Sequence, residues 1–397
     1  MSLTTLSGIR QFWHTRSILN QRRAANLSLL CECLAVGDTY AIDLPERLAA
    51  ESVDWHGLCW LAGSCLVTPS LAGALQRKGL FDLLPDEVQG YLHTLQSLNR
   101  ERNQTLREQL IIITEALNRI GIQPVLLKGA ITLASGQYPG AEDRIIGDLD
   151  LLVPDQCMEA ATSAVTSLGY QVPNKSFLLI FPWILPSYRH HRRHRLGRQS
   201  HHGSPLLHPS LPVKIELHRR IQVHQGDDAL LRQQLMTMSF SFNAGPIALI
   251  PDVSTRLLHN MLHCQISDRQ RFKRVLDLRQ LLEFAAISQH EATSLDISHL
   301  LNRLRPKRRA ILAEYWAEAE HWFKTTYPDN LPRSPHEALQ LWLLEKAAIQ
   351  PDWRRLFTCL EWLNHLPRRL PYLFYMAITN PGYFPTKIRA VLKGWSY

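Results

Sequence analysis

The spacing of apolar residues changes period twice along this chain, and that alternation limits the available folds more than any other feature. From Val53 to Ile120 apolar residues recur at three- and four-residue steps, clearest in Leu106, Leu110, Ile113, Leu117 and Ile120, which fall on one helical stripe. Thr68-Pro69 interrupts the run, with Ser70 placed to cap the next helix. Leu84-Pro85-Asp86 interrupts it again, and Gly121 stops the long helix that runs to Arg119. At Pro124 the pattern shortens. Val125-Leu126-Leu127 and Leu149 to Val153 are brief apolar runs bounded by turn residues, so both read as buried strands. A short helix-compatible stretch, Ala130 to Ser135, lies between them. Residues 155–168 are helical, Gly169 ends that helix, and Tyr170 to Val172 reads as a further short strand. Val213 to Arg219 alternates apolar and polar residues, which predicts a strand presenting Lys214, Glu216 and His218 on one face. From Asp252 the helical period returns, with Leu257, Leu258, Met261 and Leu262 on one helix and Val275, Leu276, Leu278, Leu281 and Leu282 on the next. Amphipathic stretches continue to about Ala377, and residues 380–385 form a turn before a short final helix.

The pattern predicts an α/β (α+β) fold, a small mixed sheet flanked by N- and C-terminal helical segments. It divides the chain into a helical region 1–120, an α/β core 121–250 and a helical region 251–397. With 397 residues, 45% of them hydrophobic, a large core can form and whole-chain disorder is excluded. Lys and Arg total 44 against 35 Asp and Glu, a net charge of +9 that is a modest bias toward anionic partners. The seven cysteines are scattered without C-x-x-C spacing, which predicts free thiols in a reducing, cytoplasmic setting rather than a zinc cage. The first residues lack the basic start and apolar run of an export signal, and no window supplies about 18 uncharged apolar residues for a membrane span.

The chemistry concentrates in Gly147-Asp148-Leu149-Asp150-Leu151-Leu152-Val153. Residues two apart on a strand share a face, so Asp148 and Asp150 project together while Leu149 and Leu151 turn into the core. Two such carboxylates repel unless a cation sits between them, and Mg²⁺ suits a few oxygen ligands plus substrate phosphates. Glu216 supplies a third carboxylate if its strand lies beside the first. Lys128-Gly129 follows a buried strand and opens a helix, where backbone N–H groups and an ammonium favour a phosphate. Arg144 adds a cation that stays protonated, or pairs locally with Glu142 or Asp143. Neither G-x-x-x-x-G-K-[ST] nor G-x-G-x-x-G is present.

Three segments in order, Leu126-Leu-Lys-Gly-Ala130, Arg144-Ile-Ile-Gly-Asp-Leu-Asp-Leu-Leu-Val153 and Lys214-Ile-Glu-Leu-His218, resemble the bacterial nucleotidyltransferase-like family of the polymerase-β superfamily. The resemblance runs from about Val53 to Pro385 and takes in Trp55 and Leu58, Leu258 to His263, and Val275 to Leu278. It implies a nucleotidyltransferase core in which Asp148, Asp150 and Glu216 are catalytic and hold two Mg²⁺ ions. Lys128, Gly129, Arg144 and His218 would bind the nucleoside triphosphate, with Lys128 and Arg144 stabilising developing charge and His218 touching a phosphate or orienting Glu216. An NMP group would pass to a small-molecule, peptide or sugar-linked acceptor in a biosynthetic step, releasing pyrophosphate. The chain departs from the superfamily in two respects: the gap from Gly129 to Asp148 is longer than is common, and Ala130 follows Gly129 where a Gly or Ser is usual, so a hydroxyl that would contact phosphate is missing. The missing hydroxyl favours the alternative reading, a non-catalytic member that binds nucleotide or a partner protein.

Other polar features carry plainer readings. His259 and His263 have H-x-x-x-H spacing without the Glu of H-E-x-x-H, and so are packing or helix-surface histidines before they are zinc ligands. Asp277, beside apolar residues, reads as structural, paired with Arg274 or a histidine. Residues 177–212 form a long irregular insertion, in which Arg189 to Arg198 holds five arginines, followed by His201-His202. Its plainer reading is a solvated charge run; its functional reading is an anion clamp. Trp183 and Tyr188 lie near it, but without a recognised nucleic-acid module nucleic acid is an unlikely partner.

Overall fold

The computed structural model describes residues 3–37, 40–136, 140–172, 202–222, 225–234, 237–242, 245–292, 295–361 and 363–364. The chain opens with α1 (Leu3–Leu34), α2 (Leu44–Leu48), α3 (Trp55–Ser64), α4 (Thr68–Arg77) and α5 (Asp86–Arg119). Asp54 starts α3 by accepting the Gly57 N–H at 2.9 Å. Ser70 does not cap α4: the helix begins after Val67 without a side-chain cap, and the Ser70 hydroxyl donates to the Asp143 carbonyl at 2.6 Å. On α5 the stripe Leu106, Leu110, Ile113 and Leu117 is fully buried, whereas Ile120 closes the helix and is exposed. Gly121 then takes a left-handed φ of +77°, where it costs least.

The sheet contains β1 (Val125–Leu127), β2 (Asp148–Leu152), β3 (Lys214–His218), β4 (Thr237–Ser241) and β5 (Ile247–Pro251), in the order β3-β2-β1-β5-β4. It is mixed: β1 runs antiparallel to β2 and parallel to β5, β2 is parallel to β3, and β4 is antiparallel to β5. Two strands, β4 and β5, are absent from the sequence-based expectation. The edge strand β4 exposes Met238 and alternates polar and apolar residues over only five positions, and β5 is a five-residue apolar run, patterns too short to stand out without a partner strand. The expected strand at Tyr170 to Val172 reduces to one bridge, Gln171 to Leu207. Most of the insertion, including Arg189 to Arg198, lies outside the described residues, as do the turn at 380–385 and the final helix. What is described, from His202 on, lies beside β3, with Leu206 and Ile215 exchanging backbone bonds of 2.9 and 2.8 Å.

Each sheet face has its own apolar layer. One buries Leu126, Leu149, Leu151, Ile215 and Leu217 against the second half of α5, α6 (Gly129–Ser135) and α7 (Met158–Thr166). The other, carrying Val125, Leu127 and Leu152, joins the first helices to the helices Val253–Met261, Leu278–His290 and Pro306–Phe323. Asp148 and Asp150 alternate with Leu149 and Leu151, so they share the second face with Leu152. Among the described residues no single helix is long and apolar enough to cross a membrane. The bent α3–α4 pair, apolar enough in sum, buries Leu58, Ala62, Leu71 and Leu75 inside the protein.

Polar groups on α5 fix the approach to β2. The Asn99 amide donates to the carbonyls of Glu142 and Arg144 at 2.6 and 3.0 Å, and that of Asn103 to Ala141 and Arg144 at 2.6 and 2.8 Å. Arg102 holds the Ile146 carbonyl at 2.6 Å. Asn99 and Asn103 are one turn apart on the helix, so a single face clamps the segment that delivers Asp148. The sequence carries this as Asn-x-x-x-Asn, which has no distinctive chemistry before the partner chain is known.

Asp277 is structural in a specific way: its carboxylate accepts the Gln280 N–H at 3.1 Å and caps the helix Leu278–His290. Deeper in the helical layer, burial pushes the Glu318 carboxyl up to about 7, against the Gln340 amide and the Arg271 and Arg274 charges. Between the ordinary value near 4.5 and 7, the folded protein keeps a proton that the unfolded chain has lost. Stability is therefore expected to fall as pH rises through that window, by an amount on the order of 3 kcal/mol from this group. Urea unfolding of Glu318→Gln at pH 5 and pH 8 checks it: the substitution should flatten the decline.

Candidate active site

The parallel pairing of β2 with β3 sets Asp148 opposite Lys214, Asp150 opposite Glu216 and Leu152 opposite His218. The three carboxylates thus gather at one end of two adjacent strands. Asp150 is completely buried, and its Oδ1 accepts from the Lys128 ammonium at 3.1 Å and lies 2.6 Å from His218 Nε2. Its Oδ2 is buried with no hydrogen-bond partner. Glu216 Oε2 lies 3.8 Å from the same His218 nitrogen. Lys214 Nζ is 3.2 Å from Asp148 Oδ2 and bonds Glu216 Oε1 as well.

Burial raises every carboxylate here, and the neighbouring charges decide the sign. For Asp150 burial is outweighed by Lys128 and His218, which hold the carboxyl well below its usual range. Glu216 has burial and Asp150 against it, yet Lys214, His202 and His218 bring it down to about 2. Asp148 goes the other way: burial and Asp150 raise it despite Lys128 and Lys214. Burial disfavours the Lys128 ammonium, but Asp150, Asp148 and Glu216 keep it above the ordinary lysine value. Two ionised carboxylates side by side, with one uncompensated oxygen, form a cation-seeking arrangement.

Lys128 reaches the site from a backbone with φ +50° and ψ −123°, a left-handed conformation that disfavours side chains and costs on the order of 1–3 kcal/mol. It ends β1, and this turn brings the ammonium back over β2. Gly129 has a packing reason to be glycine: a Cβ there would stand 2.9 Å from the Ile146 methyl Cγ2. Gly129→Ala is accordingly expected to destabilise the fold by roughly 1–3 kcal/mol, read in chemical denaturation.

Of the residues singled out from sequence, the fold brings together Lys128, Asp148, Asp150, Glu216 and His218. Arg144 is placed differently. Its guanidinium is buried against Thr132 Oγ1 at 2.7 Å and Glu283 Oε2 at 2.6 Å, rather than against Glu142 or Asp143. Glu283 comes from the C-terminal helices and had no local sequence signal. Among the described residues, Asp150, Glu216 and His218 form the group able to hold a metal ion, with ligand atoms all within 4.8 Å of one another. The donor set fits a divalent ion, since Asp150 Oδ2 has nothing else to bind. His259 and His263 lie outside that group. They line a cleft that also borders Lys128, Thr132 and Glu283. Burial, then Lys128 and His263, push His259 well below the usual histidine range, and its buried Nε2 lacks a hydrogen-bond partner.

A family model described as an uncharacterised nucleotidyltransferase matches residues 51–324, well over half of the chain and all five strands. The chain belongs to this nucleotidyltransferase family. Neither the comparison with curated proteins nor that with solved structures gives a match. Family membership points to a transferase, with a nucleoside triphosphate as the substrate class that the family implies, and the buried Asp-Glu-His cluster is compatible with metal binding.

Proposed function

We propose that this protein is a Mg²⁺-dependent nucleotidyltransferase of the cytoplasm. It would move an NMP group from a nucleoside triphosphate to a small-molecule, peptide or sugar-linked acceptor, with release of pyrophosphate. The observation that carries the reading is the in-register placement of Asp150 beside Glu216, with Asp150 Oδ2 buried and unpartnered. Asp148, Asp150 and Glu216 would hold the metal, which when bound supplies Lewis-acid charge to the phosphates and lowers the pKa of an acceptor hydroxyl. His218, at 2.6 Å from Asp150 Oδ1, is a positioning residue that turns Oδ2 toward the site. Lys128 keeps Asp150 ionised and places positive charge where phosphate negative charge would gather. Glu216, ionised across the neutral range, would serve as a charged ligand; its lowered pKa makes it only a weak base for the acceptor's proton. Arg144 supports this site through the chain leading to β2, its charge already met by Glu283.

The test is pyrophosphate release from each labelled NTP with Mg²⁺, alone and with cell extract as the source of acceptor. Release by the native protein that disappears in Asp150→Asn and Glu216→Gln supports the reading. Saturable NTP binding without turnover under every condition would instead support a nucleotide-binding member of the family, the outcome that the missing hydroxyl at Ala130 favours. Release that survives both substitutions would overturn the proposed chemistry.

A further inference from the structure

We propose that Lys214 is a resident counter-cation of the carboxylate site, closing Asp148 and Glu216 to a free divalent ion until an anionic substrate draws its ammonium away. The inference rests on the metal-dependent reading above. Lys214 and Glu216 are two apart on β3 and so share a face, while the register sets Lys214 directly across from Asp148. One ammonium therefore spans carboxylates from two strands, 3.2 Å from Asp148 Oδ2 and bonded to Glu216 Oε1. Lys128 serves Asp150 in the same way at 3.1 Å. All three carboxylates thus already touch a lysine ammonium.

Charge balance gives this arrangement a consequence. With all three carboxylates counted as ionised and His218 as neutral, two ammoniums leave the cluster one negative charge; without Lys214 it would carry two, the complement of a divalent ion. A cation entering between Asp148 and Glu216 meets both a blocked position and like-charge repulsion at close range. The two ammoniums are not equivalent in their freedom to move. Lys128 is fixed by a strained turn at the end of a central strand. Lys214 opens its strand at the side of the sheet, and one-fifth of its side chain is exposed. A lysine on a flexible four-carbon stem is suited to exchange one anionic partner for another. Triphosphate oxygens offer that second partner, so metal and nucleotide would enter together: as Lys214 moves to phosphate, its carboxylate oxygens become available.

Calorimetric titration of the full chain with Mn²⁺, without nucleotide, tests the proposal. Lys214→Gln should bind Mn²⁺ at least about tenfold more tightly than the native protein, and Lys214→Arg, which keeps the charge, should bind it as weakly as the native protein. A non-hydrolysable NTP analogue should tighten Mn²⁺ binding more in the native protein than in Lys214→Gln. Metal-free thermal unfolding of each variant verifies that it is folded. Unchanged or weaker Mn²⁺ binding by a folded Lys214→Gln overturns the proposal and leaves the metal reading standing. Absence of Mn²⁺ binding in both the native protein and Lys214→Gln overturns the two together.

Discussion

Asp150→Asn is expected to reduce nucleotidyl transfer by about three orders of magnitude and to abolish stabilisation by added divalent metal. The substitution keeps the side chain's shape, so it removes charge from the centre of the cluster without opening a cavity. Asp150 is the fully buried member, and its Oδ1 already serves both Lys128 and His218. An amide oxygen can still accept from both, but it carries no charge to hold the Lys128 ammonium, leaves Lys128 with only the more distant carboxylates, and puts an N–H donor where the buried Oδ2 stood. Losing one preorganised electrostatic contact of this kind costs typically about 10²–10³ in rate, and losing a metal ligand adds to it. Asp148→Asn should do less damage to the metal-free fold, because Asp148 is one-third exposed. Initial rates of pyrophosphate release and melting temperatures with and without Mg²⁺ measure both effects. Native-level turnover by Asp150→Asn would remove the aspartate from the mechanism.

The largest expected loss of stability is that of Glu283→Ala. Arg144 is buried, and Glu283 meets its charge at 2.6 Å from a helix far along the chain. Removing one partner of a buried ion pair leaves an uncompensated charge and costs about 3–5 kcal/mol, whereas replacing both partners by apolar residues is often neutral. Denaturant unfolding should therefore show a large loss for Glu283→Ala and a partial recovery for Glu283→Leu combined with Arg144→Met. The same pair distinguishes two roles for Arg144. If the guanidinium is held for structure, Glu283→Ala lowers stability first and raises KM for NTP little. If Arg144 is a phosphate ligand, the substitution leaves stability nearly unchanged and shifts KM.

Sequence and structure agree where the controlling interactions are local. The strands at residues 125–127 and 148–152 are legible as short apolar runs between turn residues, and that at 214–218 by its period of two, both of which follow from local backbone geometry whatever the strand later pairs with. The long helix ending before Gly121 is legible for the same reason. Agreement fails where a segment is short. Thr237–Ser241 alternates and Ile247–Pro251 is an apolar run, but five residues of either pattern carry little weight before a partner strand is known, and Tyr170 to Val172, apolar at both ends, makes only a single bridge. Ser70 shows a subtler failure. A serine near a helix start is ordinarily a cap, but here the helix begins two residues earlier, at Thr68, and the Ser70 hydroxyl donates to the carbonyl of residue 143.

The site divides along the same line. That Asp148 and Asp150 face one way, and that Lys214, Glu216 and His218 face one way, is determined by sequence alone, since neighbouring side chains on a strand alternate by covalent geometry. That the two sets face each other was decided only in the tertiary structure, by parallel pairing of β2 and β3 in a register that sets Asp150 beside Glu216. Register depends on burying both faces of the whole sheet at once, so it is a property of the folded chain and not of either segment. The partners of the cations were settled in the same way: Lys128 by a strained turn that bends it over β2, Lys214 by the strand opposite, and Arg144 by a glutamate more than a hundred residues distant. Charges find partners across space at short range, and spacing along the sequence does not encode which distant groups folding will bring within that range.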